Sequence, residues 1–349
     1  MIILILHIIV SLCLLAAVLS VYLPVSVLPI PAWFGLAFEW LMAAELLLGL
    51  LLLCTKRRHW AWLTVAMLIL SIAPVCYTVS HRALFFPKRE LPHSFTLMSY
   101  NTHLMDGVHK PKQNRVIQYI LRTQPDVVCL QEVEVSKSGD KLTLADLREA
   151  LSVYPYTYFD FKIYNSRRQY GNVVFSRFPL IDKHTLRYES RSNITSVCDI
   201  VLPTDTIRLY TNHLESNKLI NKDLDLGTTT EQAQSALNST SEKLAHASAI
   251  RIEQAKVLRS DAERSPHPVL IVGDMNTTPV SYTYRILQRG LRDAFLESSN
   301  GQLGHTFVKK RLGVRIDYIL HSKDLSASGF DVQLVDYSDH YPVITTIHY

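Results

Sequence analysis

Polar side chains of the kinds used in acid–base and metal chemistry lie at six points where a short apolar run ends. These points fall at residues 99–101, 130–132, 210–213, 273–276, 315–318 and 338–340. A single such residue at a strand end is most often a cap or a turn residue. Six of them together favour one shared site, because loops that carry function gather at the rim of a rigid scaffold.

The residue types predict hydrolysis of a phosphoester with the help of a divalent cation. The carboxylates and amides form a set of hard oxygen donors that suits Mg²⁺ or Mn²⁺ better than zinc. The members of this set are Glu132, Asp274, Asp317, Asp339, Asn101 and Asn276. His213 and His340 add groups that titrate near neutral pH, and a neighbouring carboxylate can fix the tautomer of such an imidazole.

Short β-type runs, separated by turns and helices, surround these residues from position 94 onward. Strands are predicted at residues 95–100, 127–130, 172–176, 195–202, 208–212, 268–272 and 316–320. A helix is predicted at 115–123, where Pro125 prevents its continuation, and an amphipathic helix at 241–258. The polar segment 217–241 is expected to be an exposed loop, either a lid over the site or a solvated insertion without a role.

The first third of the chain predicts a membrane anchor. Three apolar stretches, at residues 1–23, about 31–54 and about 60–79, are long enough for transmembrane helices of roughly 20 residues. The first 91 residues contain six Lys or Arg and three Asp or Glu, of 36 and 31 in the chain. A cleaved signal peptide is the alternative for the first stretch, but no basic segment precedes it and two more stretches follow. Glu45 is expected to face a neighbouring helix, because lipid penalises an unpaired carboxylate.

The charges between these stretches predict an extracytoplasmic domain on a multi-pass anchor. Loop 55–59 carries three Lys or Arg, so the positive-inside rule places it in the cytoplasm, although three more basic residues at 82–89 oppose this orientation. Asn276-Thr277-Thr278 is an N-glycosylation sequon, and a glycan there would block the site. An external domain therefore predicts a host that leaves such sequons unmodified, which we expect to be a bacterium.

Seven motifs resemble the endonuclease/exonuclease/phosphatase superfamily, which has the DNase I-like fold. They are SYNTH, LQEVE, YGNVVFSR, TNHLES, VGDMNTTP, RIDYIL and SDHYPV, in this order between residues 95 and 349. The resemblance implies an α/β fold, a four-layer α/β/β/α sandwich with two face-to-face sheets and helices outside. It implies divalent-metal hydrolysis of phosphodiesters or phosphomonoesters. The predicted organisation is then an anchor at 1–80, a linker at 81–93 and this domain at 94–349.

The same resemblance assigns a metal side to the site. Glu132 would be the principal ligand of Mg²⁺ or Mn²⁺, with support from Asn101, and Asp339 would be a second carboxylate beside the metal. Some nucleases of the family carry Asp at the position of His103. That difference argues against a second metal site of the nuclease type.

The resemblance also assigns a phosphate side. Asp274 would orient or deprotonate the attacking water, and Asn276 would bind the scissile phosphate. Asp317 would pair with His340, which contacts the phosphate and its developing charge. His213 would contact the phosphate or assist the leaving group. Tyr210, near the end of the same strand, would form a hydrogen bond to the phosphate.

The fold and these residues indicate the type of bond that is cleaved but not the substrate. The substrate has to be inferred from the membrane anchor and the charge of the chain. A site held near a bilayer meets lipid headgroups at high effective concentration, so a phospholipid or a polyprenyl phosphate is the first expectation. Extracellular nucleic acid is the second, since the weak basic balance disfavours tight non-specific binding. A non-catalytic membrane scaffold is the alternative of another class. The lipid bilayer is the expected partner, and no protein partner is predicted.

Overall fold

The computed structural model describes residues 1–27, 31–80, 91–105, 110–163, 165–188, 190, 193–217, 229–299, 303–309 and 312–349. Two compact units divide the chain. The sheet unit comprises Ser80–Glu215, Val257–Asn276 and Gln288–Tyr349, and the helical unit comprises Met1–Val79, Ser216–Lys256 and Thr277–Leu287. Besides the N-terminal third, the helical unit therefore contains two segments from the second half of the chain.

Two six-stranded sheets form the sheet unit, and the predicted α/β sandwich is confirmed. The first sheet contains, in spatial order, β13 (Ser326–Val332), β14 (Val343–His348), β1 (Ser94–Asn101), β2 (Val127–Ser136), β4 (Arg168–Ser176) and β3 (Tyr156–Ile163). The second sheet contains β5 (Leu180–Leu186), β6 (Ile194–Val201), β7 (Thr206–His213), β8 (Val269–Asp274), β12 (Asp317–His321) and β9 (Arg292–Asp293). A separate hairpin consists of β10 (Phe307–Lys309) and β11 (Leu312–Val314).

Alternating side chains along the strands create a core on each face of the first sheet. One cluster draws members from both sheets, among them Leu97, Val127, Leu209 and Val272. The next residues along β1 and β2 pack on the opposite face, in a cluster that includes Met98, Val128, Ile117 and Leu147. That second cluster places helices α6 (Arg115–Thr123) and α7 (Leu144–Ala150) against the first sheet. Helix α6 covers the predicted residues, and the Asn114 side chain caps it by accepting a hydrogen bond from the Ile117 amide.

Strand pairing brings the predicted site residues to one edge of each sheet. β1 and β2 are parallel, with Asn101 opposite Gln131. β7 and β8 are also parallel, with His213 opposite Asp274. β12 is antiparallel to β8, with Asp317 opposite Asp274. The second sheet therefore holds three ionisable side chains on three adjacent strands at the same level.

β2 contains a bulge at the residue that matters most for the predicted metal. Its pairing with β4 shifts register between Leu130 and Val133, so Gln131 and Glu132 fall inside the irregularity. Glu132 has a φ of +54°, which a residue other than glycine adopts only when its surroundings impose it. The bulge thus directs the Glu132 side chain out of the regular alternation of the strand.

One described helix is long and apolar enough to cross a bilayer by itself. This helix is α1 (Ile2–Leu19), with 18 residues and no charged side chain. The second predicted span is divided between α2 (Pro31–Leu36) and α3 (Phe38–Leu53), and α3 has only 16 residues. The prediction of three spanning helices is therefore wrong for the described part of the chain.

The third predicted span is bent in the middle. A short 3₁₀ turn at Arg58–Trp60 leads into α4 (Ala61–Leu70), and α5 (Ile72–Thr78) follows at an angle of 54°. Pro74 lacks the N–H that would bond to the carbonyl of residue 70, which explains the break. This pair adds one crossing only if both helices belong to a single bent span.

Helix α8 (Thr230–Ala262) is much longer than the predicted helix at 241–258. Residues 230–241 were expected to be a loop and are helical instead, and residues 218–228 of the expected loop lie outside the described residues. Within the helical unit, the Trp33 indole Nε1 donates a hydrogen bond to Ser241 Oγ at 2.7 Å. That contact helps to explain why a polar, Thr- and Ser-rich segment is ordered as a helix.

A buried polar cluster joins α1, α3 and α4. His7 Nε2 lies 2.9 Å from Glu45 Oε1 and 2.8 Å from Thr64 Oγ1, while Ser11 Oγ donates to both carboxylate oxygens of Glu45. The side chains of His7 and Glu45 are fully buried. The expectation that Glu45 faces a neighbouring helix is confirmed, and we call these four residues the helix cluster.

Candidate active site

Asp274 lies at the centre of the candidate site and is buried, with His213 and Asp317 opposite it on the adjacent strands. Gly273, the preceding residue, has a φ of +125°, which glycine adopts at no steric cost. A Cβ at this position would lie 2.2 Å from the carbonyl oxygen of Asn212. The glycine therefore allows β7 and β8 to approach closely where His213 meets Asp274.

His340 lies between two carboxylates. Its Nδ1 donates a hydrogen bond to Asp317 Oδ2 at 2.9 Å, and its Nε2 lies 3.7 Å from Asp274 Oδ2. Burial by itself would lower the pKa of His340, but the Asp317 and Asp274 carboxylates raise this pKa well above its usual value. Burial raises the pKa of Asp274, and Asp317 adds to that rise while His340 opposes it. The imidazole is thus held as a cation whose Nε2 points towards Asp274.

Asn101 connects the two sheets at the site. Its Nδ2 donates hydrogen bonds to Glu132 Oε1 at 3.1 Å and to Asp274 Oδ2 at 2.9 Å. His213 Nε2 lies 3.3 Å from Glu132 Oε1. Burial would raise the pKa of Glu132, but His213 and the Asn101 amide together lower it below its usual value. Glu132 is therefore ionised and partly exposed, as a ligand for a cation must be.

Asn276 fixes the orientation of the Asp274 carboxylate. Its backbone N–H donates to Asp274 Oδ1 at 2.8 Å, and its Nδ2 donates to Asp274 Oδ2 at 3.2 Å and to the Leu214 carbonyl at 3.0 Å. The residue has a φ of +50°, a left-handed conformation that Asn tolerates better than most residues. The Asp-x-Asn segment thus forms a compact unit at the end of β8.

Two sets of ligand atoms in the site are close enough to hold a cation. One set comes from Glu132, His213 and Asp274 and the other from Asp274, Asp317 and His340, with all atoms of a set within 4.8 Å of one another. His213 Nε2 and Asp317 Oδ1 are buried without a hydrogen bond to any described residue. Such atoms are uncommon in folded proteins and indicate room for a further ligand. Carboxylates with one imidazole fit Mg²⁺ or Mn²⁺ at the Glu132 set.

Asp339 lies on the exposed side of the site. His103 Nδ1 is 3.5 Å from Asp339 Oδ1 and 3.9 Å from Glu132 Oε2, and the Asp339 side chain is 45% exposed. Among the described residues, Asp339 belongs to neither of the two ligand sets. It lies on the same side of the site as Glu132, with His103 close to both carboxylates.

Tyr210 does not join the other predicted residues. Its hydroxyl donates a hydrogen bond to Asp261 Oδ1 at 2.9 Å, on helix α8, and the side chain is fully buried. Side chains alternate along β7, so Tyr210 and His213 point to opposite faces of the sheet. The predicted hydrogen bond from Tyr210 to a phosphate is therefore corrected to a structural bond between strand and helix.

Three side chains that the sequence motifs did not single out support the site. Thr306 Oγ1 accepts hydrogen bonds from the backbone N–H groups of Ile316 and Asp317, both at 3.1 Å. The Phe307 ring lies 4.9 Å from the His340 ring. Ser338 Oγ donates to the Asn101 carbonyl at 2.8 Å. In the sequence, a threonine followed by an aromatic residue near glycines does not indicate a functional site. Thr306 and Phe307 can therefore be assigned to the site only from the fold.

A buried ion pair holds the start of β12. Arg315 Nη1 donates a hydrogen bond to Asp293 Oδ2 at 2.7 Å, and both side chains are almost completely buried. The guanidinium also lies 4.3 Å from the centre of the Phe295 ring and 4.7 Å from that of Tyr318. Arg315 lies two residues before Asp317, so these contacts anchor the chain there and limit the movement of the Asp317–His340 pair.

These features define a class of protein before any relative is considered: an α/β sandwich with a phosphoesterase-type site at the edge of its sheets. The family model described as the endonuclease/exonuclease/phosphatase family matches residues 98–340, and the chain belongs to this family. Members of the family hydrolyse phosphoester bonds, so the protein is a hydrolase that acts on such bonds. A second model, described as a domain of unknown function (DUF8431), matches residues 1–77.

Several solved structures share the fold. An endonuclease/exonuclease/phosphatase from Beutenbergia cavernae DSM 12333 has a TM-score of 0.54 at 18% identity, covering 73% of this chain and 71% of its own. TDP2 from C. elegans has a TM-score of 0.51 at 17% identity, covering 89% and 86%. SmcL has a TM-score of 0.51 at 16% identity, covering 74% and 100%. No curated protein matches the sequence. At these identities the likeness establishes the fold alone.

Proposed function

We propose that the protein is a membrane-anchored, divalent-metal-dependent phosphoesterase that cleaves a lipid-linked phosphate by attack of water. The observation that carries this proposal is the meeting of Asp274 with His213, Asp317 and His340 on one rim, linked through Asn101 to Glu132. A binding module has no need for this full set of ionisable groups, which argues against a non-catalytic scaffold.

Asp274 is the group best placed to accept a proton from the attacking water. Its carboxylate is oriented by Asn276 and Asn101, and burial raises its pKa towards neutrality, which suits a general base. His340, held by Asp317, places a positive charge beside the position of the phosphate oxygens. Asn276 Nδ2 would donate to the same oxygens by exchanging its present bond to Asp274 Oδ2, which at 3.2 Å is the longer of its two bonds. These groups act on charge that develops in the transition state.

Glu132 is the expected ligand of the metal, and Asp274 is the other carboxylate in its set of ligand atoms. When bound there, Mg²⁺ or Mn²⁺ would neutralise negative charge on the phosphate. His213 has its Nε2 turned into the site and would contact the phosphate or the leaving group. Asn101 would keep Glu132 and Asp274 at a fixed separation through its two hydrogen bonds.

The helical unit supports retention of α1 and its insertion in a bilayer. The buried bonds of the helix cluster tie α1 to α3 and α4, which is not expected of a signal peptide that is cleaved and lost. Large apolar side chains of α1 and α3 remain exposed, and two tryptophans near the first residues of α3 and α4, Trp40 and Trp62, are 61% and 75% exposed. An apolar surface flanked by tryptophans is typical of a membrane-embedded protein.

The positions of charge in the helical unit support an extracytoplasmic site. Loop 55–59, with three basic side chains, follows the C-terminal end of α3. Val280 packs against Phe38 at the other end of α3, about 24 Å away for a 16-residue helix. If the basic loop lies in the cytoplasm, Val280 lies near the outer surface of the membrane.

A short chain distance favours a substrate in the membrane. Val280 is four residues after Asn276, and a fully extended chain spans at most about 14 Å over four residues. If the helices are embedded, so short a connection favours a phosphate that is held at the membrane surface. A phospholipid or a polyprenyl phosphate is therefore the proposed substrate class, and nucleic acid is the competing one.

The test is a substrate panel on the full chain in detergent or proteoliposomes with Mg²⁺. The panel contains a phospholipid, a polyprenyl phosphate and DNA, with Asp274→Asn as the matched inactive control. We expect turnover of one lipid substrate, none with excess EDTA, and little cleavage of DNA. Preferential cleavage of DNA would refute the lipid assignment, and no turnover of any phosphoester would refute the enzyme. A reporter fused after Tyr349 should behave as translocated; a cytoplasmic reporter would reverse the orientation.

A further inference from the structure

The segment that directly follows the catalytic Asp-x-Asn is part of the helical unit. Val280 is buried there in a cluster whose other buried members come from α1, the turn after it, α3 and α4: Leu14, Ala17, Val21, Phe38 and Met67. Thr277–Leu287 belongs to this unit by its contacts. The chain segment that follows Asn276 therefore packs among the N-terminal helices, although nearly 200 residues separate them in sequence.

Two small residues hold the backbone of this segment. Ser20 Oγ donates a hydrogen bond to the Val280 carbonyl oxygen at 3.0 Å. Gly35 in α2 packs against the same carbonyl, and a Cβ on Gly35 would lie 2.4 Å from that oxygen and 2.9 Å from Ser20 Oγ. Any side chain at position 35 would therefore displace the Val280 backbone, because its nearest contact is a backbone carbonyl oxygen rather than the end of a flexible side chain.

Aromatic contacts hold the helix that follows. The Tyr284 ring meets the Tyr77 ring edge to face, with 5.8 Å between centroids, and the Arg285 guanidinium lies 4.9 Å above the Tyr22 ring. Helix α9 (Tyr282–Gln288) is thus held at two points by residues from the N-terminal third. Together with Val280, these contacts fix the segment from residue 278 to residue 285 against the helices.

We propose that Gly35 and Ser20 are positioning residues for Asn276. Asn276 is joined to Thr277 by a peptide bond and holds a left-handed backbone conformation, with Val280 only four residues away. A displaced Val280 carbonyl shifts the chain that leads back to Asn276, whose two donors orient Asp274. The N-terminal helices then have a second role beyond membrane attachment: they complete the geometry of the catalytic loop. This inference rests on the proposed function.

The test compares two glycine variants of the full chain in detergent with Mg²⁺. Gly35→Ala should lower kcat on the order of 10²-fold with KM little changed, since a small misplacement of a catalytic group has an effect of this size. Gly49→Ala is the matched control. Its Cβ would lie 2.4 Å from Thr64 Oγ1, in the same helical unit but away from Val280. It should keep the wild-type kcat.

A second pair of variants separates positioning from a general loss of structure. Ser20→Ala removes the bond to the Val280 carbonyl and should lower kcat, while Ser20→Thr keeps a hydroxyl and should restore it. Unfolding temperatures and Mg²⁺ affinity, measured in parallel, should be the same for Ser20→Ala and Ser20→Thr.

Equal losses of kcat in Gly35→Ala and Gly49→Ala would overturn the proposal, and so would a Gly35→Ala variant with wild-type kcat. An inactive wild type would instead refute the proposed function, so the two failures are distinguishable.

Discussion

Two of the buried histidine–carboxylate pairs among the described residues differ in what surrounds the carboxylate. In the helix cluster, His7 Nε2 lies 2.9 Å from Glu45, and Ser11 donates to both oxygens of Glu45, while His7 Nδ1 has no bond to any described residue. In the active site, His340 Nδ1 also lies 2.9 Å from its carboxylate, Asp317. There, however, Asp317 Oδ1 and His213 Nε2 remain without a bond to any described residue.

The difference indicates that burial and pairing do not by themselves make a catalytic group. The helix cluster joins side chains of three helices, and both oxygens of its carboxylate accept hydrogen bonds, so the pair contributes to helix association. The active-site pair is also buried, but a second carboxylate, Asp274, lies 3.7 Å from the imidazole. Unsatisfied polar atoms beside two neighbouring carboxylates leave room for a substrate and a cation.

The largest expected effect is on the metal. Glu132→Gln keeps the size of the side chain but removes the charge that His213 and Asn101 stabilise. Activity should be lost and Mg²⁺ affinity should fall, as measured by turnover and by calorimetric titration, while circular dichroism stays unchanged. Wild-type activity in excess EDTA would rule out the metal.

Next in size are the two groups on the phosphate side. Asp274→Asn and His340→Ala should each lower kcat on the order of 10³-fold, because they act on the transition state rather than on ground-state binding. The double variant should be little worse than either single variant, because residues that act as a unit are strongly non-additive. Steady-state kinetics would remove from the mechanism any residue whose variant keeps a near-normal kcat.

The helix cluster should respond in the opposite way. His7→Leu leaves Glu45 buried without its imidazole partner, so the helical unit should lose about 1–2 kcal/mol of stability with kcat unchanged. His7→Leu combined with Glu45→Leu should recover most of that loss, because no unpaired charge remains. Thermal unfolding in detergent and kinetics on the same samples test both points. A drop in kcat without a loss of stability would show that the two clusters do not differ in role.

The smallest effect concerns two cysteines on inner strands. Cys129 and Cys198 are fully buried, and burial raises the pKa of the Cys129 thiol to about 12 and that of the Cys198 thiol further. Neither thiol should react with a maleimide in the folded protein at neutral pH, whereas both should react after denaturation. Mass spectrometry of labelled peptides measures this, and rapid labelling of the native chain would contradict the buried core.

Strand ends were predictable from sequence because an apolar run followed by a carboxylate or amide is a local signal. Glu132 and Asp274 meet this description, Asp317 precedes the apolar part of its antiparallel strand, and the structure brings all three to one rim. The wrong prediction for Tyr210 was avoidable from the sequence, because residues 210 and 213 on one strand point to opposite faces of the sheet.

Other features depended on contacts that no local pattern reveals. The helix from Thr230 onward has a polar composition typical of a loop, and the hydrogen bond between Trp33 and Ser241 is not visible in either segment. Pro74 in the sequence indicates the bend at Ser71, but a hydropathy profile alone does not show it. The membership of residues 277–287 in the helical unit was likewise invisible, because it rests on packing around Val280.

The bulge in β2 has a consequence for how this enzyme can change over evolution. Leu130 and Val133 both pair with β4, and two residues lie between them where regular pairing would continue unbroken. A deletion of Gln131 would restore the even ladder, remove the left-handed backbone of Glu132 and shift its carboxylate relative to Asn101 and His213. A point substitution at Glu132 changes the chemistry of this side chain, whereas such a single-codon deletion changes its position. The count of residues in this stretch is therefore as much a part of the active site as their chemistry.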